Sequence, residues 1–196
     1  DLRQAIADKF KRENNLDYKA SQILVSTGAK HSLANIILSL MQEGDEIIVP
    51  APYWVSYPEM IKLSGAKMIL IDTNVDADFK ITPAQLESAI TPATRAFLFS
   101  SPSNPTGSFY SQEELKGLAE VFLKYPNVFI ISDEIYEHIN FVGRHVSLAQ
   151  FPDLYDRTVV VNGVSKAFAM TGWRIGYMAG PEWLTKACEK LQGQFT

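Results

Sequence analysis

A lysine and an arginine lie close together in the stretch Ser165–Gly176, which reads SKAFAMTGWRIG. Lys166 has small and apolar neighbours, and a lysine amine in such surroundings can attack a carbonyl carbon to form a Schiff base. Arg174 keeps its charge and its planar guanidinium suits a phosphate group, for which Ser165 offers a hydroxyl. The stretch is therefore a candidate carbonyl-binding site beside a phosphate clamp. An ordinary surface loop with two solvated cations would have the same composition.

Asp133 follows the apolar run Val128–Ser132, and Tyr136 comes three residues after it. An acid at the end of a buried strand costs several kcal/mol of desolvation unless it is paired or hydrogen-bonded. No fixed cation beside it is evident in the sequence, so a ligand with a protonated ring nitrogen would supply the missing partner. The alternative is an aspartate that caps the start of a helix.

Gly28, Ala29 and Lys30 separate another apolar run from a helical pattern. Backbone N–H groups at such a helix N-terminus attract phosphate through their unpaired donors and the helix dipole. The segment lacks the glycine pattern of a dinucleotide fold or of a P-loop, and a glycine turn before a helix is common without any ligand.

Trp54 and Asn104 also come directly after strand-like runs. Trp54 can stack on a heteroaromatic ring, although a tryptophan at a strand end is often part of the core. Asn104 lies in the loop SPSNPTG, whose prolines stiffen it and can include a cis X-Pro bond. Such a loop can aim the Asn104 amide into a site, or it can be a plain turn.

Taken together, these residues match the needs of one cofactor, pyridoxal 5′-phosphate (PLP). That cofactor requires a lysine for its aldehyde, an acid for its pyridine nitrogen, donors to its phenolic oxygen, a stacking group and a phosphate cup. Lys166 and Asp133 fill the first two roles. The other roles fall to Tyr136 with Asn104, to Trp54, and to Gly28, Ala29, Ser165 and Arg174. Agreement among several strand ends favours the joint interpretation over the separate alternatives.

Apolar β-branched runs alternate with amphipathic stretches along the chain, which is the pattern of a layered α/β fold. The predicted fold is a three-layer α/β/α arrangement with a mostly parallel sheet of about seven strands. The last two strands are too close in sequence for a helical crossover, which allows one of them to run antiparallel. The predicted strands are Ile23–Ser26, Glu46–Pro50, Lys67–Ile71, Ala96–Ser100, Val128–Ser132, Val159–Asn162 and Ile175–Ala179. The predicted helices are Leu2–Glu13, Lys30–Met41, Val55–Ser64, Pro83–Ala89, Gln112–Lys124 and Glu182–Gln192.

Composition narrows the class of protein. The chain has 196 residues, 46% of them hydrophobic, which suffices for one large domain over residues 1–196. A net charge of −4 without a basic cluster argues against nucleic acid or an anionic membrane as the main partner. The single cysteine, Cys188, cannot form an internal disulfide, which fits a reducing compartment such as the cytoplasm and excludes a cysteine-rich zinc site. We expect no metal.

The chain resembles the fold-type I PLP-dependent aminotransferases, in particular the aspartate aminotransferase subgroup found in many bacteria. The matching words are STGAKHSL, PAPYWVSYPEM, SSPSNPTG, SDEIYEHI and NGVSKAFAMTGWRIGYMAGP, in the order and spacing of the family. They cover essentially the whole chain, and the last word is highly specific.

The resemblance implies a role for each candidate residue. Lys166 would bind the cofactor's aldehyde and then move the proton at the substrate Cα. Asp133 would pair with the pyridine nitrogen. Asn104 and Trp54 would also touch the substrate. The remaining roles are the phenolic oxygen for Tyr136 and Asn104, the ring face for Trp54, the ring's surroundings for Tyr57, and the phosphate for Gly28, Ala29, Ser165 and Arg174 with Lys30 nearby.

The resemblance also implies an activity and a missing portion. Family members are homodimers that move an amino group between an L-amino acid, aspartate in this subgroup, and a 2-oxo acid such as 2-oxoglutarate with ping-pong kinetics. They are about twice as long as this chain, so residues 1–196 would be their PLP-binding large domain. The small domain, a substrate-binding arginine and a tyrosine donated by the partner subunit are expected before Asp1 and beyond Thr196. We expect the 196-residue chain alone to be inactive.

Two alternatives stay open at this point. The same fold and motifs serve alanine, aromatic, prephenate and kynurenine aminotransferases and some lyases. Aminotransferase-like domains also occur in bacterial transcription regulators, where PLP binding senses and does not catalyse. A DNA-binding domain ahead of Asp1 would support the regulator.

Overall fold

Seven apolar runs form the strands of one sheet in the computed structural model, which describes residues 1–196. Their side chains are β-branched or aromatic for the most part, which suits a pleated sheet that is covered on both faces. The strands are β1 Ile23–Thr27, β2 Glu46–Ala51, β3 Lys67–Asp72, β4 Thr94–Ser100, β5 Phe129–Asp133, β6 Thr158–Gly163 and β7 Ile175–Ala179. The helices are α1 Leu2–Asn14, α2 Ala29–Leu40, α3 Tyr57–Ser64, α4 Pro83–Ala89, α5 Gln112–Lys124 and α6 Glu182–Gln192.

The strand order in the sheet is β1-β7-β6-β5-β4-β2-β3. Strands β3, β2, β4, β5 and β6 pair in parallel, whereas β7 runs antiparallel to both of its neighbours. The prediction of one antiparallel strand near the chain's end is confirmed. Because both pairings of β7 are antiparallel, β1 on its far side points the same way as the parallel strands. The carboxyl ends of six strands therefore meet at one edge of the sheet.

The two faces of the sheet carry separate cores. One core contains alternate residues of the strands together with α2, α3 and α6, and Leu33, Ile36 and Ile37 of α2 are completely buried in it. The opposite face packs against α4 and α5 and, at the β1–β7 end, against α1. The three-layer prediction is therefore confirmed. Ile47 and Ile48 are consecutive residues of β2 that are completely buried in opposite cores. A strand covered on both faces has such a continuous apolar sequence, which is why the layers could be predicted.

The helix caps also follow the sequence. Thr82 accepts a hydrogen bond from the Gln85 N–H and precedes Pro83, and Ser111 forms a capping box with Glu114. No helix in the structure is both long enough and apolar enough to cross a membrane.

One predicted helix boundary needs correction, and one alternative that the sequence left open is decided. The helix predicted from Val55 begins at Tyr57, because the Tyr57 N–H bonds to the Trp54 carbonyl in a turn, at 3.0 Å. No α-helix follows Asp133; residues 134–139 form successive turns, so Asp133 is not a helix cap. Short 3-10 helices at Leu148–Gln150 and Pro152–Arg157 then lead into β6.

Candidate active site

A cavity of about 330 Å³ lies where the carboxyl ends of the strands meet. Nine of the ten residues predicted for the site line it, and the tenth, Gly28, lies next to one of them. Three lining residues were missed by the sequence reasoning: Leu33, Ile135 and Thr171. Each lies within a few positions of a predicted residue. They were missed because an apolar or small side chain gives no sign of chemistry in the sequence. The predicted residues on the cavity wall are Ala29, Lys30, Trp54, Asn104, Asp133, Tyr136, Ser165, Lys166 and Arg174.

Asp133 is the last residue of β5 and is 5% exposed. Its Oδ2 accepts a hydrogen bond from the Tyr57 hydroxyl at 2.7 Å, and its Oδ1 is 3.4 Å from the Ile135 N–H. Burial raises the pKa of the carboxyl to about 6, against these two hydrogen bonds, which lower it. No salt bridge of the chain includes Asp133, so it faces the cavity without a cationic partner.

Lys166 follows the end of β6 in the connection 164–174, which consists of turns and a short 3-10 helix at Thr171–Trp173. Its Nζ lies 5.9 Å from the ring centroid of Tyr136. The Tyr136 hydroxyl in turn is 3.4 Å from the Asn104 Nδ2, so an amide from the β4–α5 loop and a phenol from the β5 end meet. The predicted cis proline bond in that loop is confirmed at Pro102, and Pro105 is cis as well.

Trp54 is half-buried and forms one wall of the cavity. The Lys30 Nζ lies 4.9 Å from its ring centroid, and the Tyr57 ring meets it edge-on with centroids 5.7 Å apart. Trp54 is thus neither a core residue nor a free surface ring. Its position allows it to stack on a planar ligand.

The β1–α2 turn and the start of β7 approach each other very closely. Gly28 has a φ of +84°, and a Cβ there would collide with the guanidinium of Arg174. A Cβ at Gly176 would likewise collide with the backbone of Gly28 and Ala29. Glycine at these two positions therefore allows the arginine to lie against the N-terminus of α2, whose cap has no side-chain hydrogen bond.

Positive charge concentrates at this end of the cavity. Lys30 and Arg174 line the cavity here, and neither takes part in a salt bridge of the chain. The Arg174 Nη1 donates to the Thr171 carbonyl at 2.8 Å, which leaves the rest of its guanidinium available. Two cations and an uncapped helix N-terminus form a suitable environment for a phosphate.

A second set of buried polar residues lies behind the site and was not anticipated. Glu134, 1% exposed, accepts hydrogen bonds from Ser132, Ser147 and the His145 Nε2, at 2.7, 2.6 and 2.8 Å. Burial by itself would raise the pKa of Glu134, but the charge of His145 and these hydrogen bonds lower it overall. This network anchors residues 134–147 directly after the Asp133 carboxylate.

Comparison with known proteins decides the family. The family model described as "Aminotransferase class I and II" matches residues 1–196. The chain belongs to this aminotransferase family. It is 53% identical over 197 residues to the aspartate/prephenate aminotransferase of Nitrosomonas europaea, and 50% identical over 198 residues to the aspartate aminotransferase of Bacillus subtilis. Each alignment covers 100% of this chain and 50% of the relative.

Solved aminotransferases share the fold of the chain. The crystal structure of the aspartate aminotransferase from Rhizobium meliloti superposes with a TM-score of 0.97 at 48% sequence identity, covering 100% of this chain and 49% of the other. A Thermus thermophilus aspartate aminotransferase with maleate superposes with a TM-score of 0.95 at 42% identity, covering 99% of this chain and 50% of the other. The chain thus spans about half the length of the relatives it matches. These relatives are named as enzymes, which does not favour a transcription regulator.

Proposed function

We propose that residues 1–196 are the cofactor-binding large domain of a longer PLP-dependent aminotransferase. The enzyme would move an amino group between an L-amino acid, aspartate foremost, and a 2-oxo acid such as 2-oxoglutarate. The observation that carries the proposal is the meeting of Lys166 and Asp133 with two further unpaired cations, Lys30 and Arg174, in one cavity. The names of the relatives support aspartate as the amino donor.

The residues present fit PLP on two counts. Asp133 is a buried acid without a cation, and a protonated pyridine nitrogen supplies one. Lys30 and Arg174 are cations without an anion, and a phosphate supplies one. A cavity of about 330 Å³ is also within the size range of small-molecule sites. One ligand therefore satisfies both ends of the cavity.

Each group of the cofactor has a residue to hold it. In this proposal Asp133 binds the pyridine nitrogen, Tyr136 and Asn104 bind the phenolic oxygen, and Trp54 covers the ring. The phosphate is held by the Ser165 hydroxyl, the Arg174 guanidinium and the N–H groups of the Gly28-Ala29 turn, with Lys30 adding charge. Asn104 and Trp54 also reach the substrate.

The chain's own residues supply binding and proton transfer. When bound, PLP provides an electron sink for the electron pair released at the substrate Cα. The Lys166 amine would hold the cofactor's aldehyde carbon between turnovers. Once displaced by the amino acid, it would take the proton from the substrate Cα and deliver it to that same cofactor carbon. The Asp133 carboxylate keeps the ring nitrogen protonated. Because two half-reactions follow each other in one cavity, the kinetics are ping-pong.

The proposal extends to assembly and location. Family resemblance supports a homodimer of the full-length protein, with small amino acids and 2-oxo acids as its ligands. The lining of the cavity suits a small anionic ligand. The net charge of −4 does not favour nucleic acid as a partner. The single cysteine, Cys188, is buried and unpaired, which fits the cytoplasm.

Borohydride trapping tests the role of Lys166. The full-length protein is incubated with PLP and reduced, and the labelled peptide is mapped in the wild type, in Lys166→Ala and in Lys62→Ala, which removes an exposed lysine of α3. We expect the label on Lys166 in the wild type and the control, and none in Lys166→Ala. Label spread over surface lysines, or equal label in all three proteins, would refute the proposal.

Prephenate is a second candidate for the amino acceptor. The relative from Nitrosomonas europaea is named as an aspartate/prephenate aminotransferase, which favours this acceptor specifically. Turnover with aspartate is measured with 2-oxoglutarate and with prephenate as the acceptor. Comparable kcat/KM values for both would establish the wider specificity, and activity with 2-oxoglutarate alone would exclude it.

A further inference from the structure

The Tyr57 hydroxyl makes the shortest hydrogen bond to Asp133. Tyr57 is the first residue of α3, it is 1% exposed, and its Oη lies 2.7 Å from the Asp133 Oδ2. Asp133 lines the cavity, but Tyr57 does not. The tyrosine therefore contacts the carboxylate from outside the cavity, from a segment 76 positions away in the chain.

We propose that Tyr57 is a positioning residue that fixes one oxygen of Asp133 and thereby keeps the carboxylate charged and oriented for the cofactor's ring nitrogen. This inference rests on the proposed function for the identity of the ligand. The role of Tyr57 towards the carboxylate itself can be tested without any ligand.

The other groups around Asp133 cannot replace this hydrogen bond. The second donor, the Ile135 N–H, is at the long distance of 3.4 Å from Oδ1. Burial raises the pKa of Asp133 and the neighbouring Glu134 carboxylate adds to the rise, so Tyr57 is the foremost interaction on the opposite side. The other charged or titratable groups that face the same cavity are Lys30, Tyr136, Lys166 and Arg174.

The aromatic ring of Tyr57 has a separate structural task. It packs edge-on against Trp54, with ring centroids 5.7 Å apart and an interplanar angle of 89°. A Tyr57→Phe substitution keeps this packing and removes only the hydroxyl. The substitution thus distinguishes the effect of the hydrogen bond to Asp133 from the effect of packing against Trp54.

The experiment compares Tyr57→Phe with the wild type in the full-length protein. Tyr18→Phe is the matched control, because the Tyr18 hydroxyl is also buried but has no hydrogen-bond partner. The carboxyl titration of Asp133 is followed by carbon NMR in the cofactor-free protein, with Asp133→Asn used to assign the signal. The dissociation constant of PLP at pH 7 and the kcat and KM for aspartate are measured alongside.

We expect the titration midpoint of Asp133 to move up by about 1 to 2 pH units in Tyr57→Phe, which is the effect of losing a hydrogen bond to a charged group. The dissociation constant of PLP should rise about tenfold and kcat should fall, with little change in KM. Tyr18→Phe should change none of these quantities. Tyr57→His retains a ring N–H donor and should recover part of the loss; it also serves if the phenylalanine variant does not fold.

An unchanged Asp133 midpoint in a folded Tyr57→Phe protein would overturn the inference, even if the protein were less stable. Failure of the wild type to bind PLP would instead overturn the proposed function. In that case the carboxyl titration would still decide whether Tyr57 sets the charge of Asp133, so the two failures are distinguishable.

Discussion

Asp133 is a carboxyl group that the fold buries at a cost in stability. Its pKa is raised from 3.8 to about 6 because burial disfavours the charge more than the hydrogen bonds from Tyr57 and Ile135 favour it. A group whose pKa is higher in the folded protein contributes its stability below the unfolded pKa and loses that stability as the pH rises through the folded value. The cofactor-free protein therefore holds a strained charge at neutral pH.

An Asp133→Asn substitution should expose this cost. It keeps the shape of the side chain and the hydrogen bond from Tyr57, so the cofactor-free protein should become more stable at pH 8, by up to about 3 kcal/mol. The gain should disappear below pH 4. Urea unfolding of both proteins at several pH values measures it, and the same variant should bind PLP more weakly. A loss of stability at pH 8 would contradict this account of the burial cost.

The site residues that could be predicted from the sequence share one property. Asp133, Trp54 and Asn104 each follow a recognisable apolar strand, and the carboxyl ends of parallel strands meet at one edge. The hydrogen bonds of Tyr57 and His145 have no such signal, because their partners lie elsewhere in the sequence, and the family resemblance places Tyr57 only in the ring's surroundings. Their roles follow only from the contacts of the folded chain.

At the scale of elements, β7 and the β1–α2 turn are fitted together by glycine. A Gly176→Ala substitution would push a methyl group into the backbone of Gly28 and Ala29, which must then move away from Arg174. We expect a loss of about 1 to 3 kcal/mol in unfolding free energy, as in other overpacked sites, and a marked loss of PLP affinity. Denaturant unfolding and a PLP titration measure the two effects.

Gly172→Ala is the control for this substitution. Gly172 lies in the connection before β7, and no atom comes within 4 Å of the position of its added Cβ. Its stability and PLP affinity should remain near those of the wild type. Equal losses in both variants would show that the connection, and not the close approach at Gly176, is sensitive to substitution.

The segment after β5 is fastened by the buried pair of Glu134 and His145. Removing the imidazole in His145→Ala leaves the Glu134 charge buried and unpaired, which should cost about 3 to 5 kcal/mol. Removal of His138, which is 38% exposed and 3.0 Å from Glu13, should cost less than about 1 kcal/mol. Chemical unfolding of the two variants at pH 6 measures the contrast.

The pH dependence of the His145→Ala effect follows from both partners. Burial by itself lowers the pKa of His145, but Glu134 outweighs it and raises the pKa above 6.5. The pKa of Glu134 is lowered below 4.5. The pair therefore contributes fully between about pH 4.5 and 6.5, and its contribution is lost as the pH rises through the pKa of His145 or falls through that of Glu134. A difference that grows steadily above pH 8 would exclude this pairing.

The strands and helices differ in how well the sequence predicts them. All seven strands were predicted to within two residues, since continuous apolar runs such as Val159–Val161 are completely buried. Residues 134–157 could not be predicted, because they contain no apolar period. Their course is set by polar side chains such as Glu134, which turn inward only when distant partners are in place.

At the scale of the whole molecule, the chain has two complete cores but spans about half the length of its relatives. We expect the 196-residue chain to fold and to bind PLP weakly, and to show no measurable transamination of aspartate. Circular dichroism, a PLP titration and a coupled assay compare it with the full-length protein. Substantial transamination of aspartate by the short chain would contradict this prediction.

Exposed apolar side chains suggest a second property of the short chain. Phe141 and Val142, which are adjacent in sequence, are 92% and 78% exposed, and Phe168 and Trp173 in the connection 164–174 are exposed as well. Large exposed apolar patches favour association. We expect the short chain to self-associate at concentrations where a Phe141→Ser, Val142→Ser variant stays monomeric, as measured by analytical ultracentrifugation.

Because β7 runs in the reverse direction, it begins at the edge of the sheet where the other six strands end. Most other cavity residues lie at or after the carboxyl end of a strand, but Arg174 comes directly before one, because only an antiparallel strand begins at that edge. A single connection, 164–174, therefore carries both Lys166 and Arg174, the residues proposed to bind the aldehyde and the phosphate of one molecule. Loops that contact the substrate can change in length as specificity diverges, whereas an insertion in this connection would separate the two anchors.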